Sequence, residues 1–189
     1  MSSLLLDPER PAVTRRSFVA SLAVAGLGLI KLPRVLGAME ASRDLAFHHL
    51  HTGERLSVEY FSGGEYLPHA LHEVNHVLRD WRTNELYPID PALLDLLHEL
   101  RAATGTRQPF DVICGYRCPA TNAMLASHSE GVSPRSLHLK GKAIDIRLPD
   151  VPLAKLRDAA LGLRRGGVGY YPNAANNFVH VDTGRVRRW

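Results

Sequence analysis

The sequence predicts a small single domain of the α+β class, and three observations predict it. The 189 residues are 45% hydrophobic, enough for one core. Short runs in which apolar and polar residues alternate, the mark of half-buried strands, fall at 56–61, 143–148 and 176–184. Stretches with apolar residues at helical spacing fall between them, at 67–81, 91–104 and 153–161. A mean hydropathy of −0.13 excludes a polytopic membrane protein.

The first 38 residues stand apart. Thr14-Arg15-Arg16-Ser17-Phe18-Val19 sets two arginines before a moderately apolar run, Val19 to Ile30, and Leu36-Gly37-Ala38 offers small residues for cleavage after Ala38. This segment resembles a twin-arginine export signal, which implies the twin-arginine export machinery as a partner and carriage of a folded chain. The apolar run falls short of the about 20 residues that a membrane span needs, although an uncleaved anchor is the alternative. Residues 39–189 are then the exported domain. The formal charge of +4 belongs mostly to the leader, which holds five basic and two acidic residues. Of the 23 basic and 19 acidic residues, 18 and 17 remain, so no nucleic-acid partner is expected.

In the exported domain, residues 44–62 read as a hairpin around Thr52-Gly53. His48, His49 and His51 in its first half are expected to be structural or surface groups. Leu67 to Trp81 reads as a helix on the spacing of Leu71, Val74, Val77, Leu78 and Trp81. His72-Glu73-Val74-Asn75-His76 in it matches the H-E-x-x-H pattern of zinc peptidases and is the rival metal site, although no third ligand follows at the expected spacing. Asp90 and Pro91 open the next helix as N-cap and first residue, and Gly105 ends it. Phe110 to Tyr116 reads as a strand and turn, and Pro119 to Ala126 as a short helix. Cys114 and Cys118 bracket the turn; a disulfide, free thiols and a pair of zinc thiolates all remain open for them. Arg117, at a strand end beside Gly115, is placed to fork a carboxylate, either of a ligand or of a local aspartate. Leu153 to Leu161 is a helix. Gly166 to Pro172 is a glycine-rich strand or loop that could floor a peptide groove.

Chemistry gathers at two places. Ser136-Leu137-His138 precedes a polar turn and a strand on which Ala143, Asp145 and Arg147 share one face. An aspartate beside the small Ala143 needs a partner, because an unpaired buried carboxylate is costly. Near the C-terminus, Phe178-Val179-His180-Val181-Asp182 puts His180 and Asp182 on one face. His138, Asp145 and His180 would make a site of two imidazoles and one carboxylate with a position open to water, as catalytic zinc sites have. Asp182 is then the nearest candidate for the base. Two alternatives stay open: Asp182 as ligand with Asp145 as base, or His180 and Asp182 as a structural pair.

Taken together, Ser136-x-His138-x-x-Gly141-x-Ala143-x-Asp145, Gly115-Tyr116-Arg117, Thr121-Asn122 and Phe178 to Asp182 resemble the peptidase M15 family, most closely its murein endopeptidase K branch. The resemblance covers about residues 40–187. It implies an antiparallel sheet with helices around it, Zn2+ held by His138, Asp145 and His180, and a substrate carboxylate held by Arg117. It further implies an endopeptidase acting on peptidoglycan peptides; the export signal places it in the periplasm, and a monomer is expected. The rivals are a zinc D,D- or L,D-carboxypeptidase and a wall-binding module without catalysis. The sequence departs from the dipeptidases of the family at Asn177, where they carry a glutamate base.

Overall fold

Alternating side chains and well-capped helices set out the elements of the computed structural model, which describes residues 42–129, 131–173, 175 and 177–189. The signal segment expected at 1–38 lies outside them. Arg43–His49 (β1) and Arg55–Ser62 (β2) pair antiparallel as the expected hairpin, with Gly53 in the left-handed region at φ 75°. The remaining strands are Glu65–Tyr66 (β3), Phe110–Cys114 (β4), Ala143–Arg147 (β5), Gly167–Tyr171 (β6), Phe178–Asp182 (β7) and Arg187–Arg188 (β8). The helices are Pro68–Val77 (α1), Pro91–Thr104 (α2), Pro119–His128 (α3) and Leu153–Leu163 (α4), with a 3-10 turn at Leu137–Lys140. No described helix is long and apolar enough to cross a membrane.

The strands form one sheet in the order β3-β2-β1-β4-β5-β7-β6-β8. The α+β class is as expected, but the sheet is mixed: β1 with β4 and β6 with β8 run parallel. α1 and α2 lie between β1 and β4 in sequence, and a strand that returns through such a crossover enters in the same direction.

Period-two alternation divides the sheet into two chemically distinct faces. Leu45, Phe47, Phe110, Val112, Ile144, Ile146, Val179 and Val181 are buried with Val74, Leu93, Leu94, Leu97, Leu100 and Leu156 in one core. Asp145, His180 and Asp182, one residue out of phase, leave by the other face. α2 carries the expected caps. Asp90 accepts from the Ala92 N–H at 3.0 Å, and Gly105 closes the helix at φ 71°.

α1 is shorter than its periodicity predicts, ending at Val77 instead of Trp81. The reason is tertiary. The Leu78 carbonyl accepts from the Tyr116 N–H at 2.7 Å, and the buried Asp80 carboxylate accepts from the Cys118 N–H at 2.9 Å. Both bonds tie the chain after α1 to the turn after β4.

Of the hairpin histidines, His48 pairs with Asp111 at 2.9 Å and His51 stacks on Trp81 at 4.3 Å. His49 is fully buried, its Nδ1 accepting from the His51 N–H at 3.3 Å and its Nε2 without a partner. Burial, and then the neighbouring His51, push its pKa down to about 4. The unfolded chain takes a proton near pH 6.5 that the folded chain refuses until about pH 4. Stability should therefore decline as pH falls through that window. Urea midpoints measured from pH 7 to pH 4 should fall more steeply for the parent than for His49→Phe; equal slopes would show that His49 contributes nothing.

Candidate active site

Each residue of the site is set by a local feature of the sequence. The Ser136 hydroxyl caps the 3-10 turn, accepting from the His138 N–H at 3.4 Å, and Gly141 ends it at φ 60°. The spacing Ser-x-His is thus an N-cap with its second residue, and it delivers His138 at 2% exposure. Asp145 lies on β5 between β4 and β7. The register places Cys114 beside it on one side and His180 on the other. Side chains directly opposite across paired strands are near neighbours, so register alone brings Asp145 and His180 together.

Three of the sequence-predicted residues converge. His180 Nδ1 lies 2.8 Å from Asp145 Oδ1, His138 Nε2 lies 3.2 Å from the same oxygen, and the two nitrogens are 3.1 Å apart. The outer ring nitrogens are engaged elsewhere. His138 Nδ1 is 2.7 Å from the Gly115 carbonyl, which can only accept, so Nδ1 carries the hydrogen. His180 Nε2 is 3.1 Å from Asp182 Oδ2 and donates to it. Both inner nitrogens therefore turn lone pairs toward Asp145 Oδ1. Three acceptors at such distances require a cation among them, a proton or a metal.

The electrostatics agree. Burial alone would lower the pKa of His138, but the Asp145 charge outweighs it and holds the imidazole raised. Burial would raise Asp145, but His138 and His180 hold it well below the usual carboxylate range. The trio is built to carry positive charge. Cys114 Sγ and ligand atoms of His138 and Asp145 lie within 4.8 Å of one another, so these three also form a metal-capable group.

Asp182 and Arg117 occupy different places from the trio. Asp182 is fully buried and does not line the cleft. Its carboxylate accepts from Arg187 at 2.7 and 3.1 Å, from the Gly184 N–H at 2.8 Å and from the Gly167 N–H at 3.0 Å, besides His180. Burial would raise its pKa, but His180 and Arg187 hold it lowered. Arg117 lines the cleft, donates to Asn122 Oδ1 at 3.2 Å and stands 3.8 Å from Asp145 Oδ2. Its Nε is buried without a partner.

The trio floors an open cleft of about 460 Å³, bordered by Ser129, Val132, Arg135 and Leu137 and by Tyr171, Phe178 and Trp189. The glycine-rich strand is not an open groove floor: Trp189 covers Gly169, where an added Cβ would meet the indole at 2.8 Å. Cys114 and Cys118 are both free and buried. Cys118 Sγ caps α3 by accepting from the Thr121 N–H at 3.4 Å, and Cys114 lies next to Asp145. His72 and His76 are exposed on α1, and among the described residues they belong to no metal-capable group. Sequence reading missed Arg187 and Trp189 as parts of the site, because β8 shows no alternation and spans two residues.

Two imidazoles and a carboxylate beneath an open cleft suit hydrolytic chemistry, and the chain is a peptidase. It belongs to the peptidase M15 family, residues 37–189 matching the family described as peptidoglycan L,D-endopeptidase MepK. The peptidoglycan L,D-endopeptidase MepK of Escherichia coli K12 is 43% identical over 178 residues, covering 93% of this chain and 96% of its own. The probable peptidoglycan L,D-endopeptidase MepK of Haemophilus influenzae is 44% identical over 173 residues, covering 89% and 92%.

The turn that holds His138 gives a test of the framework. A Cβ on Gly141 would run into the Pro88 carbonyl oxygen, and its φ is left-handed. Gly141→Ala should lower stability by about 1–3 kcal/mol, read as a drop in the urea midpoint. An unchanged midpoint would mean that the turn adapts freely.

Proposed function

We propose that residues 39–189 form a zinc-dependent endopeptidase that hydrolyses peptide cross-links of peptidoglycan in the periplasm, exported by the twin-arginine route as a monomer. The observation that carries the metal is the convergence of two imidazole lone pairs and one carboxylate oxygen at 2.8–3.2 Å. Bonds of about 2.0–2.1 Å to a tetrahedral zinc would set ligand atoms about 3.3 Å apart, so the trio fits the ion after a few tenths of an ångström of spreading. His138, Asp145 and His180 are the ligands in this reading. Cys114, whose sulfur also lies within 4.8 Å of ligand atoms of His138 and Asp145 and accepts from Arg117, is assigned to packing. The names of the relatives favour cleavage within a peptide over trimming of a terminal residue.

Zinc in this site would polarise the scissile carbonyl and acidify water at neutral pH. The chain's own residues supply the rest. Gly115 and Asp182 fix both imidazoles by holding their outer N–H groups, the usual way ligand histidines are oriented. Arg117 faces the cleft next to Asp145 and would hold a substrate carboxylate or steady charge that develops on the carbonyl oxygen. Asp182 is enclosed by Arg187 and two backbone N–H groups, so we assign it to positioning His180 instead of to taking the proton of the attacking water.

His138→Ala, Asp145→Ala and His180→Ala should each abolish stoichiometric zinc and the release of muropeptides from purified sacculi, whereas Cys114→Ser should keep both. Full hydrolysis by any of the three alanine variants sinks the site.

Asp182→Asn separates two roles. A positioning residue predicts about 10–100-fold weaker zinc affinity, measured by competition with a chelating dye. Unchanged affinity with a collapsed kcat would return Asp182 to the role of base. Zinc at 100 times its Kd should also raise the stability of the protein by about 2.7 kcal/mol over the chelated form.

A further inference from the structure

The trio and its supports leave part of the cleft's charge unexplained. Among the described residues, Arg117, Arg135 and Arg187 line the cleft against one carboxylate, Asp145. Two of these arginines are held in place by side chains of the protein, Arg117 at the position assigned above beside the scissile bond. Arg187 is clamped on Asp182, and Arg117 is held by Asn122 and by the Cys114 sulfur at 3.6 Å. Arg135 differs. It is exposed on the segment between α3 and the 3-10 turn, three residues before His138. Its backbone N–H donates to Ser133 Oγ at 3.2 Å, but its guanidinium has no hydrogen bond or ion pair among the described residues.

The same cleft has an aromatic wall. Tyr171 stacks on Phe178 at 4.6 Å, and Trp189 Nε1 donates to the Tyr171 hydroxyl at 2.6 Å. Trp189 is 49% exposed, held over Gly169 and 5.2 Å from the His180 ring. A cleft with a fixed aromatic surface and one uncommitted guanidinium is suited to a ligand with an apolar body and an anionic group. Arginine is the side chain best matched to a carboxylate, which it can engage through two parallel N–H donors.

We infer that Arg135 is a specificity-determining residue that reads a free carboxylate on the substrate peptide, while Trp189 and Tyr171 bear the peptide's apolar surface. This rests on the peptidase reading of the same site and names what that site selects: a peptide whose carboxylate near the scissile amide is unblocked. Arg135 touches no member of the trio, so its effect belongs to substrate affinity and not to the chemical step.

The chain has two tryptophans, and Trp81 lies outside the cleft against His51. In a Trp81→Phe protein, the fluorescence of Trp189 therefore reports occupation of the cleft. The probes are a cross-linked muropeptide with free carboxylates and the same muropeptide with them amidated. The acid should bind about tenfold more tightly, the scale of one charge-assisted contact. Arg135→Gln should erase that preference by weakening the acid alone, raising KM with kcat, zinc content and thermal midpoint unchanged. Equal affinity for the two probes, or a preference that survives in Arg135→Gln, overturns the inference. Preference without hydrolysis would sink the peptidase reading alone, and hydrolysis without preference would sink this inference alone. Failure to bind either probe overturns both.

Discussion

The structure depends on one pairing, that of Asp145 on β5 with His180 on the adjacent β7. A carboxylate at 5% exposure is unfavourable unless compensated, and His180 and His138 compensate it at 2.8 and 3.2 Å. A slip of one residue would turn Asp145 into the leucine and valine core and bring Ile144 or Ile146 to the cleft. The hydrophobic face therefore secures the polar one. Ile144, Ile146, Val179 and Val181 lock the register that sets Asp145 against His180.

Around that pairing the chain is arranged as successive supports. Arg187 and two backbone N–H groups hold Asp182, Asp182 holds His180, and the Gly115 carbonyl holds His138. These supports come from distant parts of the sequence: the turn after β4, the start of β6 and the last short strand. Close backbone approach makes them meet. An added Cβ at Gly115 would press on the Leu78 carbonyl at 2.5 Å, and one at Gly167 on the Asp182 carboxylate at 2.5 Å. Glycine at these two positions serves proximity, since neither φ is left-handed.

The same arrangement separates rigidity from access. The trio is buried, and its outer hydrogen bonds leave the imidazoles little freedom to turn. The cleft above it is bordered by the exposed Ser129, Gly131, Ser133 and Arg135 on one part and by aromatic side chains on another. The geometry of the trio is thus set by the sheet and the 3-10 turn, whereas the rim of the cleft is built from side chains that the core does not constrain.

Much of this was legible in the sequence, because it follows from local rules. The caps Asp90 and Gly105, the hairpin at Thr52-Gly53, the phase of Asp145 against Ile144 and of His180 against Val181, and the three members of the trio follow from side-chain chemistry and period. The early end of α1, the parallel entry of β4, the free state of Cys114 and Cys118, and the enclosure of Asp182 did not follow. Each depends on which distant group arrives at a given atom: Tyr116 at the Leu78 carbonyl, Thr121 at Cys118, Arg187 at Asp182. Local pattern determines which face a residue takes. Only the packed chain decides what it meets there, because hydrogen bonds between distant segments are settled by the order of strands in the sheet, which no single stretch of sequence encodes.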